Sequence, residues 1–204
     1  MSPRGVSAKT ALVWASAVAA TEASRPAAAH VGTGLAGGFV SGFEHPLTGF
    51  DHLLAMMCVG LWGAFLGRPL IYVLPVVFPV VMVLGAALGM FAVRLPSVEV
   101  GVALSVLVLG TCIAMSFRAP VWLACTVVGA FAIFHGYAHG RELPSAADPV
   151  GYSAGFVLAT GTLHVVGIGI GFLNERPGGI ALTRSLGGVI GMVGAWFLYR
   201  ALQS

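Results

Sequence analysis

Charge is what this chain has least of. Only 8% of its 204 residues are Asp, Glu, Lys or Arg, with a single lysine among them, against about 25% in an ordinary soluble domain. At 58% hydrophobic residues and a mean hydropathy of +0.96, the chain could not cover its own core in water, which excludes a soluble enzyme and a disordered segment. The net charge of +3 comes from ten Lys/Arg scattered singly; they form no patch that could neutralise a row of phosphates, so nucleic acid is not a partner. Cysteine is scarce too. Cys58, Cys112 and Cys125 lie in apolar stretches with no CxxC spacing, which speaks against a disulfide framework or a thiolate metal site and for packed thiols. The GxxxxGK[ST] pattern of an ATP-binding loop is absent. What remains is an all-α polytopic membrane protein of one domain, whose six histidines and seven acids need a reason.

Arg4 and Lys9, the short apolar run TALVWASAVAA at 10–20 and a small-residue stretch ending at Ala27, Ala28 and Ala29 make a secretory signal. The apolar run is shorter than the roughly 20 residues a spanning helix needs. The expectation is a signal peptide over 1–29, cut after Ala29, with an uncleaved anchor as the alternative. The mature domain, 30–204, then begins at His30, whose amine and imidazole could serve as an N-terminal metal ligand. A glycine-rich lead-in, VGTGLAGGFVSGF, precedes apolar stretches at about 47–66, 69–93, 98–117, 119–137, 150–173 and 179–202, separated by charges, Pro and Gly. These predict six transmembrane helices with short loops. Gly136/Gly140, Gly151/Gly155, Gly167/Gly171 and Gly187/Gly191 are spaced for close helix packing, and Pro75 and Pro79 predict a kink in the second span. Trp62, Trp122 and Trp196 fall where interface anchors occur. A cleaved signal puts both mature termini outside.

The first span opens FEHPLTGFDHLLAMM, where Pro46 places His45 at the helix entrance. Seven helical residues on, His52 returns to within about 20° of His45, with Asp51 beside it. The fourth span ends FHGYAHGRELP, setting His135 and His139 one turn apart, a spacing at which both imidazoles can hold one ion, with Glu142 three residues later. Glu99 opens the third span; His164, one turn after Thr160, lies in the middle of the fifth. With the amino terminus outside, residues 45, 51, 52, 99, 135, 139 and 142 all belong to the outer leaflet, a convergence that counting spans did not require. A buried carboxylate costs several kcal/mol unless it is paired or binds a cation. His45, Asp51, His52, His135, His139 and Glu142 therefore read as a site for a divalent transition metal, with Glu99 and His164 on a translocation path. Met56 and Met57 lie near enough to add sulfur but read as packing or lipid-facing residues.

HPLTGFDHLLAMMCVGLWGA at 45–64, ALSVLVLG at 103–110 and FHGYAHGRELP at 134–144 resemble the HupE/UreJ family of hydrogenase- and urease-associated membrane proteins, over the whole mature chain and the signal. The resemblance implies a permease that imports nickel or cobalt for enzyme maturation; with the signal and the span count it gives the expectation of a multi-pass bacterial inner-membrane protein with both mature termini periplasmic. It places the family's first-span residues on His45, Asp51 and His52, and its fourth-span motif on His135, His139 and Glu142. The expected partners are the metal ion, as substrate, and the lipid bilayer, with a homo-oligomer left open; no prosthetic group is expected. Two rival readings use the same residues. One is an intramembrane zinc-dependent hydrolase with Glu142 or Asp51 as base; the other is a haem protein with axial histidines.

Overall fold

The computed structural model describes residues 35–142 and 148–204, and every regular element among them is a helix. The signal segment, its cut and His30 lie outside the described residues. The helices are α1 (Leu35–Thr48), α2 (Phe50–Leu66), α3 (Leu70–Met90), α4 (Val98–Ala114), α5 (Val121–Glu142), α6 (Pro149–Gly171) and α7 (Gly179–Ala201), with a 3₁₀ turn at Phe172–Glu175. Their ends follow local chemistry. The Asp148 carboxylate accepts a hydrogen bond from the Val150 N–H, and Pro149 supplies the first helical position of α6. Gly67, at φ 77°, ends α2 in a conformation that other residues rarely adopt.

Four helices, α3, α5, α6 with its 3₁₀ extension, and α7, are each long and apolar enough to cross a bilayer. α1 and α2 pass the same test together but bend by 81° between them, and α4 is an apolar helix of 17 residues. The chain is thus an all-α protein of membrane type.

The first span differs from its sequence reading. The glycine-rich lead-in is helical from Leu35 onward, because Gly38 and Gly42 lie so close to the backbone at Asp148 and Tyr152 that any Cβ would overlap it. Packing against α6 outweighs glycine's poor helix propensity. Pro46 lies inside α1, so His45 stands in the last turn of that helix and not at the entrance of the next; the chain breaks at Gly49 instead. α3 remains one helix through Pro75 and Pro79.

The helices associate chiefly as α3 with α5, α4 with α7, and α1 and α2 with α6. Glycine makes each seam. A methyl at Gly136 or Gly140 would overlap the carbonyl of Met82 or Ala86 on α3, and one at Gly155 the carbonyl of Phe39 on α1. Gly167 and Gly171 abut α2, and Gly187 abuts α4. These contacts give the directions. α3 and α5 run parallel (82 beside 136, 86 beside 140), α4 and α7 antiparallel (107 beside 194, 114 beside 187), and α2 and α6 parallel (56 beside 160, 60 beside 164). They fit strict alternation from α2 to α7. The core between the pairs holds Trp62, Phe78, Met56, Leu74 and Leu109, all fully buried. Trp62 is therefore no interface anchor: its indole N–H donates to the Phe117 carbonyl at 3.2 Å, while Trp122 and Trp196 are exposed.

Candidate metal centre

The bend at Gly49 folds the end of α1 over the start of α2, so His45 and His52 face each other with ring centroids 6.2 Å apart. Asp51 occupies the first turn of α2. Its Oδ1 accepts hydrogen bonds from the His52 backbone N–H and from His52 Nδ1, each at 2.8 Å. A carboxylate can only accept, so Nδ1 carries a proton, and in the neutral imidazole Nε2 is then the nitrogen with the lone pair. That Nε2 is buried without a hydrogen-bond partner. The Asp51 side chain is 39% exposed and that of His52 14%, so the charge looks outward and the imidazole inward.

α5 supplies the facing wall. His135 is wholly buried, and its Nδ1 lies 3.0 Å from the Phe131 carbonyl, again an acceptor only. Its Nε2 is likewise buried and unpaired. His139, also buried, lies one turn further along. The ring of His52 is 4.9 Å from that of His135 and 4.8 Å from that of His139, and His45 is 4.8 Å from His139, all edge to face. Four imidazoles and one carboxylate thus meet at one end of the bundle. Two imidazoles present buried Nε2 atoms whose opposite nitrogens are tied to oxygen, the arrangement that orients histidine ligands. Among the described residues, however, no three His, Cys, Asp or Glu side chains are already set to grip one ion. The donor set suits a transition metal, but the rings must turn to close on it.

The remaining candidates lie elsewhere. Glu99 is in the first turn of α4 and exposed, outside the cluster, although its helix reaches α5 where Gly101 abuts Phe134. Glu142 is the last residue of α5, which continues five residues beyond the expected end of the fourth span and makes the whole FHGYAHGRE motif helical; its side chain is outside the described set. His164 is buried deeper in α6, where its ring lies against Phe78 and beside the backbone of Pro75. The three cysteines are free thiols.

Sequence reasoning passed over the aromatic surround. The Phe156 ring lies tilted 4.1 Å from that of His139 and 6.3 Å from that of His45, and Tyr152 lies 6.0 Å from His45. Phe78 touches both His135 and His164, at 5.4 and 5.5 Å. The available signal was the i, i+4 spacing of Tyr152, Phe156, Thr160 and His164, which puts all four on one stripe of α6.

Comparison with known proteins bears on this geometry. The model of the family described as HupE / UreJ protein matches residues 18–197. Protein HupE of Rhizobium leguminosarum bv. viciae is 42% identical over 174 residues, which cover 85% of this chain and 91% of that protein. No solved structure matches the chain.

Proposed function

The chain belongs to the HupE/UreJ family, and from that premise we propose that it is a membrane permease importing a divalent transition metal ion, Ni²⁺ first and Co²⁺ second, for hydrogenase or urease maturation. The observation that carries the reading is the pair of buried, unpaired Nε2 atoms on His52 and His135, each with its Nδ1–H held by an oxygen, beside the outward-facing Asp51. Burying unpaired imidazole nitrogens is costly unless something is to bind them.

Asp51 draws the cation in, His52 and His135 take it on Nε2, and His45 and His139 complete a mixed nitrogen and oxygen shell as their rings turn, with Glu142 close by along α5. A site that must be built on arrival suits transport, where the ion has to leave again. Six crossings, a cleaved signal, both termini in the periplasm and an inner-membrane location complete the reading. The family consists of transport and accessory proteins, which favours a permease over a zinc-dependent hydrolase using the same cluster.

The test is uptake of labelled Ni²⁺ in cells without other nickel importers, comparing the intact chain with Asp51→Ala and His52→Ala at matched membrane abundance. A loss of roughly tenfold or more is expected for each. Intact-rate transport by both variants would place the capture site elsewhere.

A further inference from the structure

Away from the histidines, the opposite end of the bundle collects arginine. Arg68 sits in the turn between α2 and α3, directly after Gly67, and Arg118 in the turn between α4 and α5. The second turn is tied to α2 because the Trp62 indole N–H donates to the Phe117 carbonyl. The Arg118 guanidinium therefore lies 5.7 Å from the centre of the Phe65 ring, three residues before Arg68, and the Arg68 guanidinium lies 5.8 Å from that of Tyr72. Both arginines border one cavity of about 480 Å³, together with Glu175 of the 3₁₀ turn after α6. That volume is within the range of small-ligand pockets, about 300–1,000 Å³.

Among the described residues neither guanidinium forms an ion pair or a hydrogen bond, and Glu175 pairs with neither. Arg184, at the same end, differs: its Nε donates to the Ala114 carbonyl at 2.9 Å. A guanidinium laid on a ring keeps its edge N–H donors free, in the flat fork that suits phosphate. Two such cations against one acid leave the cavity net positive. Its mouth is apolar, since Tyr72, Phe172 and Ile180 border the same cavity and each is at least half exposed. A soluble anion has no use for that rim, whereas an acyl chain does, and basic pockets at the ends of membrane helices are where lipid phosphates are held.

We propose that this cavity binds the headgroup of an anionic phospholipid of phosphatidylglycerol type. Its phosphodiester oxygens accept from Arg68 and Arg118, its glycerol hydroxyls donate to the Glu175 carboxylate, and an acyl chain follows Tyr72, Phe172 and Ile180. A zwitterionic headgroup would place its ammonium on Glu175 and leave one arginine uncompensated, so net charge selects the anionic lipid. One bound molecule thereby ties together the α2–α3, α4–α5 and α6–α7 turns.

The test is native mass spectrometry of the intact chain in detergent, titrated with dioleoyl phosphatidylglycerol, dioleoyl phosphatidylethanolamine or inorganic phosphate. One phosphatidylglycerol should be retained more tightly than phosphatidylethanolamine, and phosphate should not displace it. Arg68→Gln and Arg118→Gln should each raise the Kd about fivefold and the pair about thirtyfold. Lysine at both positions keeps the charge and should bind more tightly than the glutamine pair. Arg176, exposed at the same end but outside the cavity, supplies the control: Arg176→Gln should leave the Kd unchanged. Wild-type binding by the glutamine pair, equal retention of the two lipids, or an Arg176→Gln loss as large as that of Arg68→Gln overturns the site. Displacement by phosphate would make it a soluble-anion site and overturn the lipid. None of these outcomes touches the permease reading, which stands or falls on Ni²⁺ uptake.

Discussion

Asp51 performs two tasks that one substitution can separate. On the permease reading its negative charge attracts a cation to the mouth of the bundle; as an acceptor it holds His52 Nδ1–H and so fixes the orientation of the ring. Asn keeps an acceptor oxygen without the charge. Asp51→Asn should therefore lower Ni²⁺ uptake about tenfold and Asp51→Ala about a hundredfold, measured as initial rates at fixed abundance. Equal loss in both would assign the whole effect to charge. At this scale much was legible in the sequence: a carboxylate beside a histidine, and two histidines one turn apart, were enough to nominate the cluster. The edge-to-face meeting of the rings was not, since it depends on the bend at Gly49 that carries His45 over His52. Nor was the contact of Met56 with the Thr160 hydroxyl, 104 residues away.

For the helices, glycine decides how near the backbones come. A Cβ at Gly60 would overlap the His164 carbonyl, whereas at Gly161 or Gly188 it would meet nothing within 4 Å. Gly60→Ala should thus lower the stability of the detergent-solubilised protein by about 1–3 kcal/mol. Gly161→Ala and Gly188→Ala should be neutral or stabilising by up to about 1 kcal/mol. Thermal unfolding of the three variants checks the contrast, and similar midpoints for all would contradict the close α2–α6 seam. The four-residue glycine spacing marked these faces as packing surfaces but could not name the neighbour each would meet. α1 escaped the sequence reading because its glycines, unfavourable for an isolated helix, are what lets it lie against α6.

Taken whole, the molecule has two dissimilar ends. The histidines gather at one, while Arg68, Arg118 and Glu175 border a cavity of about 480 Å³ at the other. A membrane-impermeant maleimide applied to spheroplasts should label Glu99→Cys and leave Arg118→Cys unlabelled until the membrane is opened, in a background with Cys58, Cys112 and Cys125 replaced. The reverse pattern would invert the orientation. Alternation of apolar stretches and breaks made this two-ended layout readable from sequence; the pairing of α3 with α5 and of α4 with α7 was not, because every span is apolar enough to accept several neighbours. The imidazoles that must swing to close also set a clock. An ion that binds at about 10⁸ M⁻¹s⁻¹ with a Kd of about 1 μM departs about a hundred times a second, whereas at about 1 nM it would stay for about ten seconds. On the permease reading, a cluster whose ligands are unassembled among the described residues keeps dwell time short and gives up tightness for throughput.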